Sequence, residues 1–242
     1  MDVIGIIPAR YGSTRFEGKV LADIHGKPMI QWVWEAARKA KILDEVIVAC
    51  DDSRIEEAVK SFGGNVVLTS KEHLSGTDRI CEVVNPLEVK VVVNLQSDEP
   101  LLDPVMIENV ARPLLDDGSL SVATLMKKIN DPSEIADPNV VKVVTDKNDL
   151  ALYFSRAAIP YPRDTIASVT YYKHIGIYAY TKDFLFIFKN LPESQLERVE
   201  KLEQLRILEA GFRIKVIETK AATIGVDTPE DLEKVKKVIT RK

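Results

Sequence analysis

Short apolar runs rich in valine and isoleucine recur along the first 145 residues of the chain. Each is too short for a typical helix and long enough for a buried strand. They predict six strands: Val3–Ile7, Val46–Cys50, Val66–Leu68, Val91–Leu95, Ser121–Leu125 and Val140–Thr145. Apolar residues at helical spacing lie between the early runs. Near-continuous apolar strands that alternate with helices are typical of a buried, mostly parallel sheet with helices on both faces.

Capping and turn residues mark where the early helices begin and end. Pro28 suits a first helical turn, and Ser53 suits the N-cap of a helix that Gly63 and Gly64 end. A further helix is predicted over Leu102–Leu115, because Asp103-Pro104 is a typical opening.

The second half of the chain follows a less regular pattern. Strands are predicted at Leu152–Phe154, Tyr172–Tyr180 and Arg213–Glu218. The segment Ile159–Asp164 holds two prolines, which exclude a central strand and indicate an extended arm or irregular loop. The pattern contains no linker, so we expect one domain over residues 1–242, with an excursion at roughly 150–215.

Two late helices have strong start signals. Ser194 and Glu197 are spaced as a capping box, and the pattern predicts one continuous helix from Ser194 to a stop at Gly211. Thr228-Pro229-Glu230-Asp231 combines a cap, a proline in the first turn and an acid three residues after the cap, which predicts the last helix.

Composition narrows the class of protein. With 45% hydrophobic residues the chain can bury a sizeable core, and its net charge of −4 gives no general basic field for nucleic acid. Two cysteines are too few for a disulfide framework, and no apolar run approaches the roughly 20 residues of a membrane span. No signal peptide precedes the first strand, so the expectation is a cytoplasmic protein.

The loop after the first strand concentrates positive charge. Arg10, Arg15 and Lys19 lie on it, with Gly12 and Gly18 between them. Glycines let backbone N–H groups approach phosphate oxygens, and the cations balance their charge. A solvated basic loop is the ordinary alternative, but open α/β sheets bind ligands at the carboxyl ends of their strands. The loop therefore favours a polyphosphate site.

This loop is neither of the two commonest phosphate-binding motifs. Five residues separate Gly12 from Gly18 and Val20 follows Lys19, so the spacing of a P-loop is absent, as is the G-x-G-x-x-G dinucleotide fingerprint. The sequence argues against an NTP-hydrolysing machine and against a dehydrogenase.

Acidic residues at two other loops suit a metal ion. Asp98 follows a buried strand, and Asp227 precedes the last helix. Mg²⁺ prefers carboxylates together with phosphate oxygens and water. Taken alone, either aspartate has an ordinary interpretation, as a turn former or as a helix-start acid. Ser75-Gly76-Thr77-Asp78-Arg79 likewise has the pattern of a capped helix start as well as that of a nucleotide contact.

Together these segments resemble the family of 3-deoxy-manno-octulosonate cytidylyltransferases, from about Ile4 to Val238. The matching segments are IIPARYGSTRFEGK, SGTDRI, NLQSDEP, ALYFSRAAIPYPRD, YKHIGIYAYT, LEQLRILEAG and GVDTPEDL. The resemblance implies a three-layer α/β/α Rossmann-like nucleotidyltransferase fold with a predominantly parallel mixed sheet. It also implies that the anomeric hydroxyl of an eight-carbon 2-keto sugar acid (Kdo) attacks the α-phosphate of CTP and releases pyrophosphate, for lipopolysaccharide synthesis.

The resemblance also implies roles for individual residues. Arg10, Lys19, Asp98 and Asp227 carry catalysis, and the two aspartates hold one or two Mg²⁺ ions. The nucleotide site is formed by Pro8, Ala9, Arg10, Ser13, Thr14, Arg15, Lys19, Ser75, Gly76, Arg79 and Gln96. The sugar acid is surrounded by Arg156, Arg163, His174, Tyr178, Glu203 and Gln204. A homodimer is expected, with the Ile159–Asp164 segment as the arm.

The sequence departs from the family pattern at three positions. Glu17 and Val20 stand where prolines are usual, and Ser97 replaces the usual glycine before Asp98. A glutamate near Lys19 lowers nucleotide affinity unless it points outward, and Ser97 is strained if its φ is positive.

The sequence leaves one alternative substrate open and argues against several other functions. An 8-amino form of Kdo is an open alternative substrate. The first loop departs from the CMP-sialate synthetase pattern ARGGSKGIPxKN and lacks the G-x-G-T-R of sugar-1-phosphate nucleotidyltransferases. A non-catalytic nucleotide-binding regulator has no need of both Asp98 and Asp227, and the acidic pI of about 5.6 argues against a nucleic-acid-binding module.

Overall fold

The structure is a computed structural model. It describes residues 1–12, 16–73, 75–164, 169–221 and 224–240. The predicted nucleotide contacts Ser13, Thr14 and Arg15 lie outside the described residues.

The described chain contains eleven strands. They are β1 (Val3–Ala9), β2 (Asp23–Ile24), β3 (Lys27–Pro28), β4 (Glu45–Cys50), β5 (Asn65–Leu68), β6 (Val91–Asn94), β7 (Val122–Lys128), β8 (Lys142–Thr145), β9 (Ala151–Ser155), β10 (Tyr172–Thr181) and β11 (Lys215–Glu218). Every strand predicted from an apolar run is confirmed, with ends that shift by up to three residues.

The same residues contain nine α-helices and one short 3-10 helix at Lys19–Leu21. The α-helices are α1 (Met29–Ala37), α2 (Ser53–Ser61), α3 (Gly76–Val84), α4 (Pro104–Asp116), α5 (Ser133–Ala136), α6 (Lys182–Asn190), α7 (Gln195–Glu200), α8 (Gln204–Glu209) and α9 (Pro229–Ile239).

The main sheet is mixed and has the strand order β11-β7-β10-β6-β1-β4-β5, with β8 and β9 attached beside β10. The block β6-β1-β4-β5 is parallel, as is the pair β11-β7. Strand β10 joins the two parallel parts and is antiparallel to both of its neighbours. The antiparallel hairpin β8–β9 extends the sheet beside β10.

Helices cover both faces of the sheet, because alternate strand residues point to opposite sides. Val3 and Ile7 of β1 pack in the same cluster as apolar residues of α1, α2 and α4. Ile4 and Ile6 pack in a second cluster with residues of α3, α6 and α8. The three-layer α/β/α fold is therefore confirmed.

Two predicted helix starts are displaced by one residue. Pro28 is extended and forms the N-cap of α1, which begins at Met29. Asp52, and not Ser53, caps α2, because the Asp52 carboxylate accepts the backbone N–H of Arg54 at 3.0 Å. Carboxylates are strong acceptors at a helix N-terminus, where the helix dipole favours negative charge.

The prediction of one continuous helix from Ser194 to Gly211 is wrong. The capping box of Ser194 with Glu197 is present, but α7 ends at Glu200 and Lys201 has a left-handed backbone with φ 53°. Helix α8 starts three residues later. The two helices therefore form a bend, and the contacts that hold it come from β9, which lies 45 residues earlier in the chain.

The parallel strands bring distant loops to one edge of the sheet. Strands β1 and β6 are neighbours in register, so the loops that follow Ala9 and Asn94 leave the same edge. The backbone N–H of Val226 donates to the carbonyl of Asp98 at 2.9 Å, which brings the segment before α9 to that edge as well.

None of the described helices is long and apolar enough to cross a membrane.

Candidate active site

A cavity of about 350 Å³ opens at this edge of the sheet. It brings together predicted residues from four separate parts of the chain: Pro8, Ala9, Arg10, Lys19, Ser75, Gly76, Arg79, Gln96, Asp98 and Asp227. Every described residue of the predicted nucleotide and metal sites therefore lies in one cavity wall.

The first loop is closed at its far end by Gly18. Its backbone N–H donates to the carbonyl of Tyr11 at 2.9 Å, and its φ of 67° lies in the left-handed region. A Cβ at this position would come within 3.0 Å of the Tyr11 ring. Glycine is therefore required by the turn itself, which then directs Lys19 into the cavity.

Lys19 connects the two aspartates. Its ammonium lies 2.6 Å from an Asp98 oxygen, 3.1 Å from an Asp227 oxygen and 3.0 Å from the carbonyl of Val226. The Lys19 side chain is only 14% exposed, so its contact with Asp98 is partly shielded from solvent, whereas the Asp227 side chain is 53% exposed. Two carboxylates from positions 129 residues apart thus converge on one cation.

This donor set fits Mg²⁺. The described residues contain no group of three or more histidine, cysteine, aspartate or glutamate side chains able to hold a metal by themselves. Mg²⁺ commonly takes one or two protein carboxylates and completes its shell with substrate phosphates and water. The pair Asp98 and Asp227 matches that pattern at a cavity that also contains Arg10 and Lys19.

The three departures from the family pattern leave the cavity intact. Glu17 is exposed, and Val20 is buried in the core. Positive φ angles at non-glycine residues of the described chain occur at His25, Asp149 and Lys201, so Ser97 has an ordinary backbone.

The wall at the start of α3 is rigidly held. Ser75 caps the helix, accepting the backbone N–H of Asp78 at 3.0 Å and donating to the Asp78 carboxylate at 2.8 Å. Arg79 is 4% exposed and donates to an Asp51 oxygen at 3.1 Å, while the other Asp51 oxygen accepts the Tyr11 N–H at 3.0 Å. The guanidinium therefore ties α3 to the first loop.

His73 is a wall residue that the sequence analysis missed. Its Nε2 is hydrogen-bonded to the Glu82 carboxylate, and this contact is the main cause of the lowered pKa of Glu82. The available signal was its position, two residues before Ser75, the N-cap of α3.

A second cavity of about 580 Å³ meets the first at Ser75. Its wall mixes acids and cations: Thr77, Asp78, Lys189, Glu193, Glu197, Lys201, Glu203 and Arg206. Of the predicted sugar-site residues, Glu203 lies in this wall, and its carboxylate is 3.5 Å from the Thr77 hydroxyl.

His174 lies in a row of aromatic rings beside this region. Its ring packs edge-on against Phe154 and next to Tyr178, at centroid distances of 5.1 and 5.4 Å. Burial lowers the pKa of His174 to about 3, so the imidazole is neutral at physiological pH. The Thr124 hydroxyl is hydrogen-bonded to the carbonyl of Ile177 at 2.8 Å and to His174 Nε2 at 3.0 Å.

Polar groups are also buried at the start of α8. Gln204 is the first residue of that helix, and its Nε2 is buried with no hydrogen-bond partner among the described residues. The same holds for Oδ1 of Asn94, which ends β6. Buried polar atoms without a partner are costly, and ligand groups can satisfy them.

The two predicted arginines of the sugar site lie elsewhere. Arg156 donates from its side chain to the backbone carbonyls of Glu200 and Pro138, at 2.7 and 2.8 Å. Arg163 is exposed. Within the described chain neither arginine lines the two cavities.

Replacing Glu203 is expected to stabilise the protein by an amount that depends on pH. Burial raises its pKa, although Arg206 opposes the shift. A carboxyl whose pKa is higher in the folded protein contributes stability below its unfolded pKa and loses that contribution as pH rises through the folded value. We therefore expect Glu203→Gln to raise the melting temperature more at pH 8 than at pH 5, as measured by differential scanning calorimetry.

The exposed residue Glu57 provides the control. Glu57→Gln is expected to change the melting temperature equally at both pH values. A Glu203→Gln gain that is equal at pH 5 and pH 8, or larger at pH 5, would show that the buried carboxyl is not destabilised by ionisation.

Comparison with known proteins identifies close relatives. A family model described as Cytidylyltransferase matches residues 4–217. A 3-deoxy-manno-octulosonate cytidylyltransferase from Solibacter usitatus is 52% identical, over 98% of this chain and 94% of the relative. One from Syntrophotalea carbinolica is 51% identical, over 97% of each chain.

A solved structure supports the same relationship. The CMP:2-keto-3-deoxy-manno-octonic acid synthetase complexed with CTP superposes with a TM-score of 0.95 at 48% identity. The match covers 100% of this chain and 99% of that one.

Proposed function

This chain belongs to the family of the 3-deoxy-manno-octulosonate cytidylyltransferases, and we propose a role in the reaction for each residue of its site. The enzyme transfers CMP from CTP to Kdo, forming CMP-Kdo and releasing pyrophosphate. The observation that carries the assignment of residues is the convergence of Lys19, Asp98 and Asp227 in one cavity.

Arg10 and Lys19 hold the triphosphate in this proposal. Both line the cavity, and a triphosphate needs cations to balance its charge. Ser75 and Gly76 form the opposite wall at the N-terminus of α3, where backbone N–H groups are available to the nucleotide. Arg79 acts through its ion pair with Asp51, which holds that wall against the first loop.

Asp98 and Asp227 would hold one or two Mg²⁺ ions. When bound, Mg²⁺ would supply charge stabilisation at a phosphate oxygen and would lower the pKa of a nearby hydroxyl. The protein residues position the reactants, which is the main requirement of phosphoryl and nucleotidyl transfer. The anomeric oxygen of Kdo forms a bond to the α-phosphorus as the bond to pyrophosphate breaks.

The sugar acid lies against the buried polar groups at the start of α8. Glu203 and Gln204 are suited to the sugar hydroxyls, and Gln204 has a buried donor to offer. His174 is neutral and Tyr178 keeps its proton, because burial raises the pKa of Tyr178 well above its usual value. These two rings therefore contribute shape and hydrogen bonding, and the charge that meets the sugar carboxylate comes from other residues.

A homodimer and a cytoplasmic location remain predictions. The loop Ile159–Asp164 contains Tyr161, whose side chain is 85% exposed, and an exposed tyrosine on an irregular loop supports its use as an arm. Sedimentation analysis of wild-type protein and Tyr161→Ser tests this arm directly.

The choice of sugar is tested by pyrophosphate release with CTP and Mg²⁺. We expect turnover with Kdo, and a kcat/KM lower by at least about 100-fold with N-acetylneuraminate, because a misplaced nucleophile loses most of its positioning advantage. 8-Amino-Kdo is measured in parallel. A higher kcat/KM for 8-amino-Kdo would move the assignment to that sugar, and pyrophosphate release without any acid would contradict transfer to a sugar.

A further inference from the structure

The bend between α7 and α8 is held by a residue that the family pattern places at the sugar. The last carbonyls of a helix have no partners within the helix. Arg156 supplies donors for those of α7: its Nε lies 2.7 Å from the carbonyl of Glu200, and an Nη lies 3.5 Å from the carbonyl of Lys201. The guanidinium thus acts as a C-terminal cap for α7.

The Glu200 side chain forms hydrogen bonds in the opposite direction, from α7 to the end of β9. Its two carboxylate oxygens accept the Ser155 hydroxyl at 2.7 Å and the backbone N–H of Arg156 at 2.9 Å. The end of β9 and the end of α7 are therefore joined in both directions, by four hydrogen bonds of 3.5 Å or less to residues 200 and 201.

A buried lysine fixes the backbone on the other side of Arg156. Lys142 is fully buried, and its ammonium donates to the carbonyls of Arg156 at 2.6 Å, Val140 at 2.5 Å and Asp137 at 2.8 Å. A buried ammonium is stable only when such acceptors surround it. Its three acceptors lie on two separate segments, so Lys142 sets the position of Arg156 relative to the loop before β8.

The cap decides where α8 begins. Lys201 has a left-handed backbone, which costs a residue with a side chain about 1 kcal/mol and usually selects glycine at this point. The contacts to Arg156 and Glu200 compensate for that cost. Helix α8 starts just beyond, with Glu203 as its N-cap residue and Gln204 as its first residue.

We propose that Arg156 is a positioning residue of the sugar-acid site, which acts through the bend at Lys201 to place Glu203 and Gln204. This inference rests on the proposed function of those two residues. It assigns the guanidinium to backbone carbonyls, in place of a two-pronged contact with the sugar carboxylate.

Kinetic constants for Kdo and for CTP, measured in several variants, distinguish a positioning role of Arg156 from a direct contact with the sugar carboxylate. Arg156→Ala is expected to raise the KM for Kdo by about 10- to 100-fold with the KM for CTP changed by less than about 2-fold, because small displacements of substrate-positioning groups have effects of this size. Glu200→Ala, which removes the reciprocal contacts, is expected to raise the same KM. The double variant is expected to be no worse than Arg156→Ala alone, since both changes release the same bend.

Lys201→Gly provides a rescue that a direct contact cannot show. Glycine adopts the left-handed conformation without strain, so the bend needs its cap less. Arg156→Ala is therefore expected to raise the KM for Kdo by a smaller factor in the Lys201→Gly background than in the wild-type background. The conservative variant Arg156→Lys, which keeps a donor, is expected to fall between wild type and Arg156→Ala.

Hydrogen exchange gives a readout that is independent of turnover. Faster amide exchange confined to residues 201–208 in Arg156→Ala is expected, with α3 unchanged. If wild type lacks activity with Kdo, the proposed function fails while the exchange result still decides the bend. If Arg156→Ala does not fold, Arg156→Lys and Glu200→Ala carry the same comparison.

Two results would overturn the inference. One is a raised KM for Kdo in Arg156→Ala together with a wild-type KM in Glu200→Ala and no rescue by Lys201→Gly, which would indicate a direct contact with the sugar. The other is unchanged exchange at residues 201–208 in both single variants.

Discussion

Replacing Asp98 with asparagine is expected to lower kcat by at least about 1,000-fold. The change keeps the size of the side chain and an acceptor oxygen for Lys19, which lies 2.6 Å away, but it removes the negative charge. Stabilisation of transition-state charge by a metal ion is worth several kcal/mol, and about 4 kcal/mol corresponds to 1,000-fold in rate. Because Lys19 retains its partner, we expect the fold to persist.

Asp103 offers a matched control for this variant. It is an exposed aspartate five residues along the same loop and caps α4, a position where asparagine serves equally well. Asp103→Asn is expected to keep wild-type kcat in the pyrophosphate-release assay. A kcat within about 10-fold of wild type in Asp98→Asn would remove Asp98 from the metal site, since loss of a metal-bound charge costs more than that.

Lys19→Met is expected to lower kcat/KM for CTP by about 100-fold or more. The ammonium is the charged group that the structure places between the two aspartates, and removing a charge-assisted contact to a transferring phosphate typically costs 10²–10³ in rate. The long apolar side chain of methionine fills a similar volume, so the change tests charge more than packing.

Two variants separate charge from shape at this position. Lys19→Arg keeps the charge and is expected to recover part of the loss. Lys60 lies on the exposed face of α2, paired with Glu56, and Lys60→Met is expected to leave kcat/KM for CTP unchanged. Equal activity of Lys19→Met and Lys60→Met would contradict a role for Lys19 at the triphosphate.

Local signals predicted much of the fold. Strands β1, β4 and β6 are short apolar runs whose residues are buried on both faces, so the runs alone indicate them. The capping boxes at Ser194 and Thr228 need only neighbouring residues, and both are present. The placement of β10 between β6 and β7, antiparallel to both, depends on long-range pairing that no local pattern encodes.

The predicted nucleotide and metal residues converge for a simple reason. Parallel strands send the loops that follow them to one edge of the sheet, so the loops that carry Arg10 and Asp98 lie near each other. Asp227 reaches the same edge through the hydrogen bond between Val226 and Asp98, which the sequence does not reveal.

Residues tied to distant partners were the ones the sequence described poorly. Helical periodicity continues through Lys201, and the bend depends on Arg156 and Glu200, which are 44 residues apart. His174 is partly exposed, as its alternation with apolar neighbours indicates, but its ring contact with Phe154 of the β8–β9 hairpin is not visible in the sequence. Arg79 lines the cavity as predicted, but the sequence does not reveal its ion pair with Asp51, which links α3 to the end of β4.

The position of the bound metal ion shows whether Asp98 and Asp227 form the metal site. Crystals grown with CTP and Mn²⁺ in place of Mg²⁺ allow the metal to be located by its anomalous scattering. We expect a peak about 2.0–2.2 Å from carboxylate oxygens of both Asp98 and Asp227, with a phosphate oxygen of CTP in the same shell. A CTP-bound peak held by other acids, with Asp98 and Asp227 outside its shell, would contradict it.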